Sequence, residues 1–270
     1  IHKLIVMKKY FVIGNPINHS LSPKLHNYWL KENNINAIYD KKKIEEKNLQ
    51  TIISEVKEKK IDGINVTVPF KKAVIPFLDK LSMEAEQTQS VNTIILKDNN
   101  LEGHNTDIAG FAKAIKNLNF NLEGKKVFIL GAGGVVPSII FALNKINVSK
   151  IIISNRTKKK AEDLKLQFHS LEILDWGDIT DFDVIINATS LGLNKETINL
   201  DFSKFGNNKL FYDVIYNPIE TNFLSEGKKL GNKTENGKLM FVYQAFEAFK
   251  LWHGIEPIIS REVLDILKND

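Results

Sequence analysis

The feature of this sequence that most restricts its fold is an apolar run that ends in glycines. Residues 127–130 show no alternation of polar and apolar side chains, and Gly131-Ala132-Gly133-Gly134 follows directly. A strand that is apolar at every position must be covered on both faces, which is typical of parallel sheets flanked by helices. Residues 137–146 then have the periodicity of a helix. We therefore predict a strand, a tight glycine turn and a helix in succession.

Short β-rich runs alternate with longer helical patterns along the chain, which predicts an α/β fold with parallel sheets. The predicted strands cover residues 10–14, 61–68, 91–96, 126–131, 150–155, 183–189 and 210–216, and the predicted helices cover residues 22–33, 107–118, 137–146 and 239–252. We expect two domains, one of residues 7–106 completed by residues 238–270, and a doubly wound one of residues 107–237. Residues 98–107 should form the loop between them. Residues 1–6 are expected to be an upstream extension before a native start at Met7.

The composition excludes several classes of protein. No apolar run approaches the roughly 20 residues that span a bilayer, so membrane insertion is not expected. The absence of Cys excludes a disulfide framework and a thiolate metal site, agrees with a cytoplasmic protein, and means that redox chemistry would need a cofactor. No metal site is predicted. The charge of +5 is spread over scattered Lys residues, with Arg156 and Arg261 as the two Arg residues, so we expect no nucleic-acid partner.

The glycine turn and the next strand together suggest a dinucleotide. Glycines let the backbone approach a pyrophosphate at the positive end of a helix. A third fingerprint glycine is absent, because Val135-Val136-Pro137 follows, and a purely structural turn is the alternative. The next strand ends in Ser154-Asn155-Arg156-Thr157, with no carboxylate for a ribose hydroxyl. Arg156 suits the 2′-phosphate of NADP, and its alternative is a surface Arg beside a helix.

The predicted first domain contains a candidate carboxylate receptor. Residues 14–23 leave a strand, turn, and start a helix at Ser22 with Pro23 at its first position. The hydroxyls of Ser20 and Ser22, free backbone N–H groups and the helix dipole would together bind an anion. Ser22 could equally act as an N-cap.

A candidate proton carrier lies after another strand of this domain. Thr67 and Lys71 come at the carboxyl end of the strand, and Lys71 is expected to begin a helix, where a cation is unfavourable and needs a partner. Asp107 is one candidate, and such a pair could carry the proton that accompanies hydride transfer. Alternatively, Asp107 caps the following helix and Lys71 is solvated. The residues by themselves leave both interpretations open.

Taken together, these segments resemble the shikimate dehydrogenase family from about residue 9 to residue 254. Further matching segments are Ser90-Val91-Asn92-Thr93, residues 187–192, Tyr216-Asn217-Pro218 with Thr221, Gly237, Met240, Gln244 and residues 251–254. The resemblance implies an N-terminal α/β substrate domain and a Rossmann-type NADP domain flanking a cleft. It also implies reversible, NADPH-linked reduction of 3-dehydroshikimate to shikimate, in chorismate and aromatic amino acid biosynthesis. A homodimer is compatible with it.

The resemblance also implies a role for each matching residue. Lys71 would be the acid/base, with Asp107 as its orienting partner. The implied substrate contacts are Ser20, Ser22, Thr67, Asn92, Asp107, Tyr216 and Gln244. The implied NADP contacts are Gly131, Ala132, Gly133, Gly134, Val135, Asn155, Arg156, Thr157, Lys160, Val214 and Gly237.

Four departures from the family pattern concern mainly the cofactor. Gln89-Ser90 replaces Gly-Ala, Met83 stands near an expected acidic residue, Lys160 replaces a frequent Arg, and bulky residues 135–137 follow the glycines. They put the affinity for the cofactor and the strictness for NADP in doubt. The alternatives are a dehydrogenase that prefers quinate or an amino analogue, with NADP or NAD as its cofactor, and a catalytically idle nucleotide-binding regulator.

Overall fold

The computed structural model of the protein describes residues 6–268, which form two compact units. The first unit contains the described chain up to Asp107 and again from Val242, and the second is Ile108–Phe241. The sequence prediction placed the second boundary four residues earlier, before residue 238. The predicted extension of residues 1–6 lies outside the described residues except for Val6. No helix within residues 6–268 is both long and apolar enough to cross a membrane.

The first unit contains a mixed six-stranded sheet. Its strands are β1 (Lys8–Gly14), β2 (Ala37–Lys43), β3 (Gly63–Val66), β4 (Lys80–Leu81), β5 (Thr93–Lys97) and β6 (Asn100–His104), in the order β2-β1-β3-β5-β6-β4. β1 pairs in parallel with β2 and β3, whereas β5 is antiparallel to β3 and β6. The prediction of parallel sheets is therefore confirmed for β1, β2 and β3 and is wrong for β5.

A hairpin replaces most of the loop predicted over residues 98–107. β5 and β6 are joined at Asp98 and Asn99, whose φ angles are 49° and 61°. Two successive residues with positive φ suit the right-handed twist of a hairpin, and Asp and Asn tolerate them better than most residues do. The loop composition thus marks a tight turn followed by a polar strand.

The helices of the first unit include segments from both ends of the chain. They are α1 (Ser22–Glu32), α2 (Leu49–Lys57), α3 (Met83–Thr88), α4 (Asp107–Lys116), which begins here, α8 (Lys238–His253), which ends here, and α9 (Arg261–Ile266). Trp29 Nε1 donates to Ile258 O at 3.0 Å, and Trp252 Nε1 donates to Ile94 O at 3.2 Å. A Cβ atom on Gly63 would overlap the Trp252 ring. The C-terminal segment is therefore part of this unit's core.

His26 lies inside an aromatic cluster of the first unit. Its imidazole is 1% exposed and stacks on Tyr39 with ring centroids 4.2 Å apart, while Trp29 and Trp252 lie within 6 Å. Its Nε2 is buried without a hydrogen-bond partner among the described residues. Burial, and secondarily the positive charge of His253, lowers the pKa of His26 to about 3.

The second unit is a doubly wound parallel sheet. Its strands are β7 (Lys126–Leu130), β8 (Lys150–Ser154), β9 (Glu172–Leu174), β10 (Val184–Asn187), β11 (Leu210–Asp213) and β12 (Lys233–Glu235), in the order β12-β11-β10-β7-β8-β9. Its further helices are α5 (Val136–Ile146), α6 (Lys158–Gln167) and α7 (Asn222–Lys229). The direction of winding reverses between β7 and β10, and open sheets of this kind bind ligands beyond the carboxyl ends of such strands. The predicted two-domain α/β class is confirmed.

Candidate active site

Lys71 and Asp107 form a buried ion pair. Lys71 Nζ lies 2.5 Å from Asp107 Oδ2, and the two side chains are 10% and 8% exposed. Lys71 does not begin a helix, as we had predicted, but lies in a turn of residues 71–74 that ends in a 3-10 helix, Ile75–Phe77. Its carbonyl accepts from Val91 N at 2.8 Å, which fixes the turn against the start of the β5 segment. The alternative of a solvated Lys71 is therefore wrong.

Both carboxylate oxygens of Asp107 are engaged by side chains. Oδ2 accepts from Lys71, and Oδ1 accepts from Asn92 Nδ2 at 3.1 Å. Asp107 is the first residue of α4, where a negative charge is favoured by the helix dipole. Within residues 6–268, Asp107 is the hydrogen-bond partner of Lys71 Nζ. Because an ammonium has three donors, two remain for a ligand.

Asn92 joins Gln244 to this pair. Its Oδ1 accepts from Thr106 N at 2.8 Å, and its Nδ2 donates to Asp107 and, at 3.5 Å, to Gln244 Oε1. The first unit thus brings together four of the predicted site residues, namely Lys71, Asn92, Asp107 and Gln244.

Ser20 and Thr67 lie in the loops that follow β1 and β3, and Ser22 lies at the end of the first of these loops, where α1 begins. Ser22 is the first residue of α1, and its N–H donates to Ser20 Oγ at 3.3 Å. Leu21 holds the N-cap position without a side-chain cap, so the alternative of Ser22 as an N-cap is wrong. Thr67 Cγ2 lies 2.5 Å from where a Cβ of Gly14 would stand, so these two loops adjoin.

The glycine turn in the second unit leaves an open surface at the start of α5. Gly131 has a φ of +113°, and a Cβ there would lie 2.7 Å from Ala188 O, so glycine is required. At Gly133 a Cβ would meet nothing within 4 Å. Val136 and Pro137 are buried in the core. Two of the three bulky residues that follow the glycines are therefore buried, and Val135 is half-buried.

Of the cationic side chains that follow β8, some form ion pairs with described residues and others do not. Lys158 Nζ lies 2.7 Å from Asp175 Oδ1, and Lys159 pairs with Asp163 one turn along α6. The side chains of Arg156 and Lys160 are exposed and make no hydrogen bond or ion pair with any described residue. The neighbouring Asn155 Nδ2 donates to Thr157 O at 2.8 Å, which shapes the loop.

The remaining predicted residues lie after β11. Gly237 N donates to Ile215 O at 3.0 Å, and a Cβ on Gly237 would overlap Val214 O. Tyr216 stacks on Phe241 with ring centroids 4.4 Å apart. The second unit thus holds Val214, Tyr216 and Gly237 on adjoining segments.

The second unit also contains a buried carboxylate that we had not predicted from the sequence. Asp213 is fully buried and accepts from Ile215 N at 3.0 Å, Thr221 Oγ1 at 2.6 Å and Asn187 Nδ2 at 3.1 Å. Burial raises the pKa of Asp213 to about 6, although the three hydrogen bonds oppose the shift. Its sequence signal is a single charged residue within the apolar run of residues 210–216, which we had interpreted as strand alone.

Comparison with known proteins identifies the family. Residues 12–94 match the shikimate dehydrogenase substrate binding domain, residues 112–204 match shikimate / quinate 5-dehydrogenase, and residues 239–257 match the shikimate 5'-dehydrogenase C-terminal domain. A relative from Pelagibacter ubique, named shikimate dehydrogenase (NADP(+)), is 55% identical over 97% of this chain and 99% of its own. The chain belongs to the shikimate dehydrogenase family. The family prediction from the sequence is confirmed.

Two solved structures of the family carry ligands. Shikimate 5-dehydrogenase from Thermus thermophilus, in complex with NADP(H) and shikimate, has a TM-score of 0.87 and 31% identity, and the match covers 97% of this chain and all of that one. Shikimate 5-dehydrogenase from Listeria monocytogenes, in complex with shikimate and NAD, has a TM-score of 0.89 and 29% identity over 99% of each chain. The relatives therefore include complexes with either form of the nicotinamide cofactor.

Proposed function

We propose that this protein is a shikimate dehydrogenase that catalyses the reversible, NADP-linked reduction of 3-dehydroshikimate to shikimate, in chorismate and aromatic amino acid biosynthesis. The observation that carries the proposal is the buried Lys71 ammonium, which Asp107 holds through one N–H while two remain for a ligand. A buried cation with unused donors is costly unless a substrate uses it. Membership of the family supplies the reaction that fits such a group.

The proton is carried by Lys71. In the direction of reduction, its ammonium donates a proton to the C3 carbonyl oxygen, and in the reverse direction the neutral amine takes the proton of the C3 hydroxyl. Asp107 orients Lys71 and stabilises the ammonium. Asn92 and Gln244 lie beside Asp107 and present amide groups to ring hydroxyls.

The substrate carboxylate binds at the start of α1. Neither the Ser20 nor the Ser22 hydroxyl donates a hydrogen bond within residues 6–268, so both are available to an anion. The N-terminus of α1 adds a favourable dipole, since no side chain caps it. Thr67, on the adjoining loop, and Tyr216 complete the proposed substrate contacts.

The second unit fits NADP. Gly131 to Val135 would hold the pyrophosphate, because Gly133 leaves open space and the start of α5 has no side-chain cap. Arg156 and Lys160 would pair with the 2′-phosphate beside Asn155 and Thr157, and Val214 and Gly237 would adjoin the nicotinamide. Bound NADP supplies or accepts the hydride.

Turnover tests the reaction directly. Purified protein with shikimate and NADP should produce reduced cofactor, and folded protein without turnover at saturating concentrations would refute the proposal in favour of an idle regulator. Parallel assays with quinate and with NAD decide between the alternatives of substrate and cofactor.

Replacing Lys71 tests the proton carrier. Lys71→Ala should lower kcat by about 10²- to 10⁴-fold, the usual contribution of a general acid or base, with a much smaller change in KM. The exposed neighbour Lys72 provides the matched control, and Lys72→Ala should retain wild-type kinetics. A defect of Lys71→Ala confined to KM would reassign Lys71 to binding.

Replacing Arg156 tests the preference for NADP. Arg156→Ala should raise the KM for NADP by about 10- to 100-fold, the value of a charge-assisted hydrogen bond, and leave the KM for NAD unchanged. Lys159 is already paired with Asp163, so Lys159→Ala should change neither. Equal effects of the two substitutions would remove Arg156 from the proposed site.

Two further features complete the proposal. We propose that the enzyme is cytoplasmic. We also propose that it has no nucleic-acid partner, because Lys158 and Lys159 pair with carboxylates of their own unit and do not form a free basic track. The homodimer stays a prediction, which light scattering of the purified protein would test.

A further inference from the structure

A chain of buried side-chain hydrogen bonds approaches the Lys71–Asp107 pair from inside the first unit. Tyr39 Oη donates to Asn65 Oδ1 at 2.6 Å, and Asn65 Nδ2 donates to Thr93 Oγ1 at 3.0 Å. Thr93 Oγ1 donates to Asn92 Oδ1 at 3.1 Å, and Asn92 Nδ2 donates to Asp107 Oδ1 at 3.1 Å. All five residues are buried, and Thr93 is completely so.

Backbone groups fix the direction of this chain. Asn65 Nδ2 also donates to the carbonyl of Asn92 at 3.1 Å, and a carbonyl can only accept, so Asn65 must present its oxygen to Tyr39. Thr106 N, which can only donate, lies 2.8 Å from Asn92 Oδ1. Both amide orientations are therefore determined. Because Thr93 Oγ1 accepts from Asn65, its own proton is available to Asn92.

The direction matters at the carboxylate. With the observed orientation, the Asn92 amide donates to Asp107, whose two oxygens then both receive donors. If the amide turned over, its oxygen would face the carboxylate and its NH₂ would face Thr106 N, so two favourable contacts would become repulsive.

We propose that Thr93 is a positioning residue, set by Asn65 and Tyr39, that holds the Asn92 amide toward Asp107 and so aligns the Lys71 pair for the substrate. This inference rests on the proposed function, because it assigns Thr93 an effect on that reaction. Thr93 itself acts through Asn92, because its hydroxyl accepts from Asn65 and donates to Asn92.

Two substitutions of Thr93 test the proposal. Thr93→Val keeps the shape of the side chain but removes the hydroxyl, whereas Thr93→Ser keeps the hydroxyl. We expect Thr93→Val to raise the KM for shikimate and lower kcat/KM by about tenfold, the effect of one hydrogen bond near a charge, with the KM for NADP unchanged. Thr93→Ser should stay within about threefold of the wild type.

The outcomes separate positioning from a structural role and from the proposed function. A loss of folded protein would lower kcat without changing the KM for shikimate. An unchanged KM in Thr93→Val, or an equal defect in Thr93→Ser, would overturn the proposal.

If Thr93→Val does not fold, Tyr39→Phe decides, since it removes the first donor and keeps the ring that stacks on His26. An increase of severalfold in the KM for shikimate supports the proposal, and no increase overturns it. Wild-type turnover tests the proposed function separately.

Discussion

We expect the protonation of His26 to have a strong effect on how the free energy of unfolding varies with pH. The pKa of His26 is about 3 in the folded protein, against 6.5 for an unperturbed His, because the ring is buried among aromatic side chains. The folded state therefore binds a proton less well than the unfolded state does. The stability from this group is present above pH 6.5 and is lost as the pH falls toward 3.

The size of the effect follows from these two pKa values. Between pH 7 and pH 5, proton binding to the unfolded state should cost about 2 kcal/mol of unfolding free energy, and further acidification should cost more. Asp213 acts in the opposite sense, because its pKa of about 6 lies above that of a free Asp. Its contribution to the stability of the protein is therefore lost as the pH rises through 6. Comparison with a variant that retains Asp213 cancels this contribution.

His26→Phe provides that comparison. Phe keeps an aromatic ring against Tyr39 and loses no hydrogen bond at Nε2, which has no partner among the described residues. Denaturant unfolding of both proteins at pH 7, 6 and 5 should show the wild type losing about 2 kcal/mol more than the variant. His169 is exposed, and His169→Phe should follow the wild type. Parallel stability curves for the wild type and His26→Phe would refute the reasoning.

Two substitutions in the second unit test backbone and buried polar contacts. Gly131→Ala should destabilise the protein by about 2 kcal/mol or more, since a residue strained at positive φ also meets Ala188 O. Gly133→Ala should unfold like the wild type but weaken NADP binding. Equal unfolding midpoints of Gly131→Ala and Gly133→Ala would contradict this reasoning. Thr221→Val should cost about 2 kcal/mol because it removes a helix cap and a donor to buried Asp213; thermal unfolding should show recovery in Thr221→Ser, and failure to recover would attribute the loss to packing.

The sequence revealed the segments whose patterns are continuous and missed those whose patterns are sparse. β7 and the glycine turn were predicted because residues 127–130 are apolar throughout and Gly131 follows. β2 was missed because it is an edge strand that ends in three exposed Lys residues. α6 was missed because it buries Ala161 and Leu164 alone, which is too little for a clear helical periodicity.

The site was predicted at the level of residue types more than of local structure. Lys71 was expected at a helix start, but the chain makes a turn there, so the reason given for its need of a partner was wrong although the partner was right. Asp213 and Thr93 were missed as functional candidates because a strand pattern explains them equally well. Their hydrogen-bond partners lie up to 28 residues away in sequence, and no local pattern reveals such contacts.

A departure from the family pattern also has a structural consequence. Gln89 stands where the family usually has Gly, and its φ of 49° is left-handed. It ends α3 at the C-cap, where Gly would adopt this conformation without strain. The departure therefore bears on the first unit, and not on the cofactor loop with which the sequence analysis grouped it.

The interrupted first unit also sets an order for synthesis on the ribosome. β1 is translated early, but two partners of the first unit are translated much later. They are Ile258, whose carbonyl accepts from the Trp29 indole, and Trp252, whose indole donates to the Ile94 carbonyl. At about 5–20 residues per second, that interval lasts roughly ten to fifty seconds. The second unit, whose residues are continuous, is complete before the last partners of the first have been translated. During that interval the aromatic rings of His26 and Trp29 lack Phe249 and Trp252, which pack against them in the folded protein.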